Sequence, residues 1–220
     1  NTVSYTYDAV GNRVGKQKPD GTVVTQSYDA LDRLVATDAP DLSIGYAYDA
    51  LSNRTVMTDT TGVTTYTYDD LNRLTQVTAP TGTLQYDYDL NGNRTHLTYP
   101  DGEVVTYTYD LADQLTGATD WDGRSTAYAY DDAGRQTEIQ YPNDVQATYA
   151  YDEAARLTAI THTSPVSGVI AVFTYTLDAV GNRTAMDDLE GTTSYAYDDL
   201  YRLTEVTYPD GETVSYAYDP

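Results

Sequence analysis

One short pattern, Tyr-x-Tyr-Asp followed by an Arg four or five residues on, recurs along the whole chain and limits what it can fold into. Its Asp falls at Asp8, Asp29, Asp49, Asp69, Asp89, Asp110, Asp131, Asp152, Asp178, Asp198 and Asp219, in steps of 20 or 21 residues with one step of 26. A fixed period of about 21 residues marks an array in which each repeat is one supersecondary element, stabilised by stacking on its neighbours. The fullest copies are Tyr46-Ala47-Tyr48-Asp49 with Arg54, Tyr66-Thr67-Tyr68-Asp69 with Arg73, and Tyr86-Asp87-Tyr88-Asp89 with Arg94. They continue as Tyr128-Ala129-Tyr130-Asp131 with Arg135, Tyr149-Ala150-Tyr151-Asp152 with Arg156, and Tyr195-Ala196-Tyr197-Asp198 with Arg202. In Tyr107-Thr108-Tyr109-Asp110 the Arg position is taken by Gln114.

Each repeat reads as two short strands and two turns. In residues 94–115, Thr95 to Tyr99 and Glu103 to Tyr109 are rich in Thr, Val and Tyr, the residues that suit strands. Pro100-Asp101-Gly102 and Asp110-Leu111-Ala112-Asp113 are turns: Pro presets φ, Asp bonds locally and Gly accepts positive φ. Strands this short, joined by turns this tight, pair antiparallel. The expected architecture is all-β, a continuous meander of roughly twenty strands in one array over residues 1–220. Alternation puts Val105, Tyr107 and Tyr109 on one face and Thr106 and Thr108 on the other, so stacked repeats align tyrosines in ladders. Leu203 and Val206, three apart, do not share a face of a straight strand, which calls for a bulge beside Leu203. The Arg follows its Asp by five residues at Asp8, Asp49, Asp89 and Asp178, which predicts a longer hairpin loop there, alternating with the shorter form over the first five repeats. The long step holds Thr163-Ser164-Pro165-Val166-Ser167-Gly168, read as a lengthened loop and the place for something specific.

Composition bears on partners. The formal net charge is -22, with 34 acidic against 12 basic residues, which argues against nucleic acid and against an anionic membrane surface. Leu, Val, Ile and Phe make up 39 of 220 residues, few enough for disorder in a charged chain, but 24 tyrosines in register overturn that reading. A chain of this length is expected to bury one sizeable core. There is no cysteine, hence no disulfide or thiolate metal site. No apolar run is long enough for a membrane-spanning helix, and no basic-then-apolar leader is present. Thr2 to Asp8 and Thr213 to Asp219 stand at nearly the same phase, so the chain is expected to be an excerpt of a longer array. The open edges of such an excerpt are expected to associate edge to edge.

These residues closely resemble the YD-repeat family, also called Rhs repeats. Asp131-Asp132-Ala133-Gly134-Arg135 and Asp178-Ala179-Val180-Gly181-Asn182-Arg183-Thr184 carry its pattern, which covers essentially the whole chain. Departures are Gln26 in place of the first Tyr before Tyr28, Leu177 in place of the second, and Gln114 in place of Arg. The resemblance implies an antiparallel β-ribbon that spirals into a hollow shell. In bacterial Rhs proteins and insecticidal toxin-complex components such shells enclose a toxic C-terminal domain. In wall-associated bacterial proteins and animal teneurins the repeats belong to large surface proteins. The self-cleaving, aspartic-protease-like segment of toxin-bearing members has no match here, so cleavage is not carried over.

Candidate chemistry is thin. Asp87-Tyr88-Asp89-Leu90-Asn91-Gly92 matches the start of a calcium loop, but Thr98 stands where the bidentate Glu belongs. The Asp and Arg of each turn are spaced for a salt bridge, and eleven equivalent copies are the mark of scaffolding rather than of a catalytic carboxylate pair. His96 and His162 lack a second ligand at metal spacing, and no Ser sits in a nucleophile elbow. Trp121 reads as a hydrophobic plug or a sugar-stacking platform. Asn53-Arg54-Thr55, Asn93-Arg94-Thr95 and Asn182-Arg183-Thr184 match the N-glycosylation acceptor as a by-product of the turn. No residue is assigned a catalytic, cofactor or metal role. The expected function is a non-enzymatic scaffold, a segment of a shell around a toxin in a secreted or cell-surface bacterial protein. The alternative is an extracellular adhesive or filamentous protein with the array exposed. The expected partners are further repeats of its own chain, a toxin cargo, and copies of itself.

Overall fold

The computed structural model describes residues 2–219 and contains strands and turns only. The chain divides into two compact units, Asn1–Thr106 and Tyr107–Pro220. In the first lie β1 (Ser4–Tyr7), β2 (Arg13–Gln17), β3 (Val23–Tyr28), β4 (Leu34–Ala39), β5 (Leu42–Tyr48), β6 (Arg54–Asp59), β7 (Gly62–Tyr68), β8 (Leu74–Ala79), β9 (Gly82–Tyr88) and β10 (Arg94–Thr98). The chain passes from one unit to the other within β11 (Val104–Tyr109). In the second follow β12 (Leu115–Thr119), β13 (Ser125–Tyr130), β14 (Gln136–Gln140), β15 (Gln146–Tyr151), β16 (Leu157–Ser164), β17 (Gly168–Leu177), β18 (Arg183–Asp187), β19 (Thr192–Tyr197), β20 (Leu203–Thr207) and β21 (Thr213–Ser215). Within each unit every strand pairs antiparallel with the next, the hairpin meander expected of turns this short.

The expected core is the first correction. Among the described residues the buried apolar ones are Ala147 and Val206, the buried polar ones Thr64 and Thr193, and no large side chain is fully enclosed. Each unit is a single layer. In β7 the burial alternates, with Tyr66 and Tyr68 half-buried and Thr65 and Thr67 exposed. The reason is compositional: tyrosine has an apolar body and a polar tip, so a tyrosine face stays partly wet while its rings shield one another.

The Asp turns from Asp8 to Asp198 have one length, which is the second correction. Asp69 N–H donates to the Arg73 carbonyl at 3.0 Å, and Asp49 N–H donates to the Asn53 carbonyl at 2.9 Å, four residues away in both forms. These are three-residue hairpin loops whose last residue is left-handed: φ is 60° at Asn72, 68° at Ser52 and 97° at Gly92. Aligned on that residue, Asn53 and Arg73 are equivalent, and Arg54 stands where Leu74 stands. A bulge follows each loop. Thr67 pairs with Gln76 and Tyr68 with Leu74, so Thr75 is the extra residue; Thr204 is extra beside Leu203 in the same way.

The opposite turns set the period. Tyr99-Pro100-Asp101-Gly102-Glu103 closes as a three-residue loop, with Tyr99 N–H to the Glu103 carbonyl at 2.8 Å, and the step it bridges is 21 residues. Ala79 pairs directly with Gly82 across Pro80-Thr81, a two-residue loop, and that step is 20. The step of 26 is a third correction. Its extra residues lengthen β16 and β17 to 8 and 10 residues rather than the loop, which is only 165–167.

Candidate functional site

The Asp turn is a compact hydrogen-bonded knot. Oδ1 of Asp69 accepts the N–H of Leu71 and of Arg73, both at 2.9 Å, and Oδ2 accepts Arg73 Nε at 2.7 Å. At Asp49 the same Oδ1 bonds come from Leu51 and Asn53, and Oδ2 accepts Asn53 Nδ2 at 3.0 Å. The Arg73 main-chain N–H, against partial burial and with help from the guanidinium, holds the Asp69 carboxyl below its usual range. At Asp131 the Arg135 guanidinium leads the same lowering.

The residue four after the Asp also ties one repeat to the next. Arg33 Nη1 donates to the Asp49 carbonyl at 2.9 Å, Arg73 to Asp89 at 3.0 Å and Arg156 to Asp178 at 2.8 Å. Asn53 Nδ2 donates to Asn72 Oδ1 at 3.1 Å, and Gln114 Nε2 replaces the missing Arg by donating to the Gly134 carbonyl at 3.1 Å. The expected Asp–Arg salt bridge therefore forms at Asp29, Asp69, Asp131, Asp152 and Asp198, where the Arg is four residues on. At Asp49 and Asp178 the partner of Oδ2 is the amide of Asn53 or Asn182 instead.

The Arg five residues on does something else. Arg54 lies over Tyr66 at 4.4 Å and over Tyr46 at 5.9 Å, and its Nε is buried without a hydrogen bond. Arg183 lies over Tyr195 at 4.5 Å and Tyr175 at 5.7 Å. Arg33 and Arg73 instead cover Tyr48 and Tyr88, the tyrosines next to the Asp, at 4.8 and 4.7 Å. Alternating the two forms thus spreads the guanidinium stacking over both tyrosine rows. Where Gln26 replaces a tyrosine, Arg13 Nε donates to Gln26 Oε1 at 2.9 Å.

Tyrosine hydroxyls complete the lattice. Tyr48 donates to the Leu34 carbonyl at 2.8 Å, Tyr68 to Arg54 at 2.9 Å, Tyr88 to Leu74 at 2.8 Å, Tyr130 to Leu115 and Tyr151 to Gln136 at 2.9 Å, and Tyr197 to Arg183 at 2.9 Å. Each acceptor precedes the bulge of the preceding hairpin. Burial, against nearby Arg94, pushes the Tyr88 phenol up, and burial does the same at Tyr130 and Tyr149. The sequence pattern marks these tyrosines but not this bond; its only trace is Tyr, rather than Phe, at the position before the Asp.

The remaining candidates stay apart. Asp89 gives its oxygens to Asn91, Asn93 and the Asn93 amide, while Asp87 lies on β9, 3.9 Å from His96. Among the described residues no three or more His, Cys, Asp or Glu are grouped to hold a metal ion. The Asn53 and Asn182 amides of the acceptor sequons are committed to Asp49 and Asp178. Trp121 is 45% exposed beside Asp120, which binds Arg124 as the Asp turns do. No helix is long and apolar enough to cross a membrane, among the described residues.

The same hairpin, bulge and turn define a class of β-repeat proteins. The RHS repeat family pattern matches residues 7–44, 48–84, 68–104, 88–125, 122–146, 130–168 and 178–213, and the chain belongs to that family. Its fold is similar to that of TcdB2-TccC3, at 19% identity and TM-score 0.70 over 99% of this chain. It is also similar to the Photorhabdus luminescens Tc holotoxin pore carrying a TccC3 substitution, at 20% identity and TM-score 0.71 over 99% of this chain. The chain spans 15% and 14% of those two chains. No curated protein matches it.

Proposed function

We propose that this array is a non-enzymatic wall segment of an Rhs-type shell, in a secreted or cell-surface bacterial protein, around a toxin or effector segment of its own chain. The observation that carries the reading is the link from turn to turn, made at Arg33, Asn53, Arg73, Gln114, Arg135 and Arg156. Arg33, Asn53 and Arg73 each bond the following repeat, so a sheet without a second layer gains stiffness from neighbour to neighbour. A stiff single layer suits a wall, whose work is to exclude or enclose. The acidic surface keeps such a wall soluble. Tyr46, Tyr66, Tyr86, Tyr107, Tyr128, Tyr149 and Tyr195, with the second tyrosine, Asp and Arg of each repeat, are structural positions on this reading.

A second reading is an exposed adhesive or filamentous array. It is favoured by the aliphatic side chains at the Asp-turn tips, where Leu31, Leu51, Leu71, Leu90 and Leu111 are all open to solvent. Electron microscopy of the intact native protein separates the two. A closed hollow particle with density inside is the expected result. An extended open fibre refutes enclosure and moves attention to the leucine row and Trp121.

A further inference from the structure

The hairpin of β16 and β17 leaves a strand edge unpaired. β16 pairs with β17 from Ala159↔Thr174 out to Ser164↔Gly168, but β18 meets β17 only from Thr174↔Asp187 inward. Gly168 to Phe173 therefore carry a strand on one side and, among the described residues, none on the other. The stretch is apolar and β-branched, with Val169 51% and Ile170 44% exposed, and Leu189 of the next hairpin stands open beside it. Ala171, Val172, Phe173, Asp188, Leu189 and Glu190 line a shallow notch of about 250 Å³ there.

We propose that this overhang binds an extended peptide with apolar residues and basic neighbours, added as a strand along β17. The free N–H and C=O groups of a strand edge are matched by another extended backbone, at about 3.3 Å per residue, and alternate side chains then reach the notch. Six free positions, one of them the bulged Ile170, fit a segment of about five residues. Charge selects the occupant. Asp188 and Glu190 lie in the notch, and Glu190 also lines the next depression with Asp210 and Glu212. Arg183 is engaged with Tyr195 and Tyr175. A second copy, at a net charge of -22, brings acid against acid, whereas a Lys- or Arg-bearing strand is drawn in. Other hairpins overhang the next strand by only two or three residues, as at Leu42 to Ile44 of β5 and Gly62 to Thr64 of β7, so an overhang of this length is particular to the insertion.

The test uses the 220-residue chain and a labelled, end-capped peptide of alternating Val and Lys. Its readouts are fluorescence anisotropy and amide exchange. Saturable binding is expected, weakening as salt rises, with exchange slowed in residues 168–173. Blocking alternate peptide N–H groups by N-methylation is expected to weaken binding about tenfold, through the main-chain bonds lost. Ile170→Lys, at an exposed position, is expected to abolish it without unfolding the chain. Absence of binding, equal binding of the N-methylated peptide, or protection elsewhere overturns the proposal. So does concentration-dependent self-association that protects 168–173 while the peptide does not.

Discussion

Removing one hydroxyl tests how this sheet is held together. Tyr68→Phe keeps the ring, its stacking and its strand propensity, and deletes only the 2.9 Å bond to the Arg54 carbonyl. A hydrogen bond of this kind contributes about 0.5–1.5 kcal/mol net, and an acceptor left half-buried brings the loss toward the upper end. Tyr48 and Tyr88 repeat the arrangement at 2.8 Å, and Tyr151 repeats it at 2.9 Å. Successive repeats are two strand spacings apart, about 9.5 Å, where substitutions add nearly independently. The four changes together are expected to cost about 2–6 kcal/mol in urea unfolding followed by circular dichroism. Tyr66→Phe is the control: the Tyr66 hydroxyl makes no hydrogen bond to a described residue, and the change is expected to stay within about 0.5 kcal/mol. Leu177 provides the reverse experiment. Extending the β16–β17 register inward sets residue 177 opposite 156, so a tyrosine there reaches the Leu157 carbonyl, and Leu177→Tyr is expected to stabilise. Equal unfolding of Tyr66→Phe and Tyr68→Phe would refute the reasoning, because it would leave ring burial alone as the tyrosines' contribution.

Three further outcomes follow from the turns. Gly82→Ala is expected to cost about 1–3 kcal/mol by thermal unfolding, because a Cβ at φ +134° meets Pro100 Cβ at 2.3 Å; Gly102→Ala, at φ +90° with nothing within 4 Å, carries only the backbone cost of about 1–2 kcal/mol. Arg54→Leu is expected to keep or raise stability in urea titration, since Leu fills that slot in neighbouring repeats, while Arg54→Lys loses the planar stacking and is expected to be less stable. On acidification, turn carboxyls such as Asp69 and Asp131 titrate below their ordinary 3.8 in the folded chain, so their contribution is complete above that value and is lost as pH falls through the lowered folded values. The unfolding midpoint is therefore expected to drop as pH falls below about 3.8, and a midpoint that rises there would mean that relief of acidic repulsion outweighs the turn bonds.

Much of this was legible in the residues. The repeat period, the two-strand repeat, the tyrosine face and the bulge beside Leu203 follow from spacing and alternation, which are local properties of a strand. What spacing hid was phase. Counting from Asp to Arg makes Asp49 to Arg54 look one residue longer than Asp69 to Arg73. Counting to the left-handed residue, Ser52 or Asn72, shows one loop with either Asn or Arg after it. That residue is recognisable in sequence when it is Gly, as at Gly92 and Gly181, and hard to see when it is Ala155 or Tyr201. The hydroxyl bonds and the Gly82–Pro100 contact join residues 14 or more positions apart through three-dimensional stacking, and no local pattern encodes them.

The absence of a core changes what must carry stability. In a two-layer domain the apolar interior rewards every strand at once. Here each hairpin is rewarded only by the hairpins beside it, through a ring-on-guanidinium contact, a hydroxyl-to-carbonyl bond and a turn-to-turn bond. Such an array unfolds by nearest-neighbour rules, and a weak link separates its two sides. Arg73 and Arg156 each make the turn-to-turn bond at 3.0 Å or less, whereas Arg135 makes it at 3.4 Å. Leu177 removes a hydroxyl bond where the long hairpin of β16 and β17 already departs from the repeat. The long free edge of β17 thus lies where the regular lattice is interrupted, which is where an added strand has least existing structure to displace.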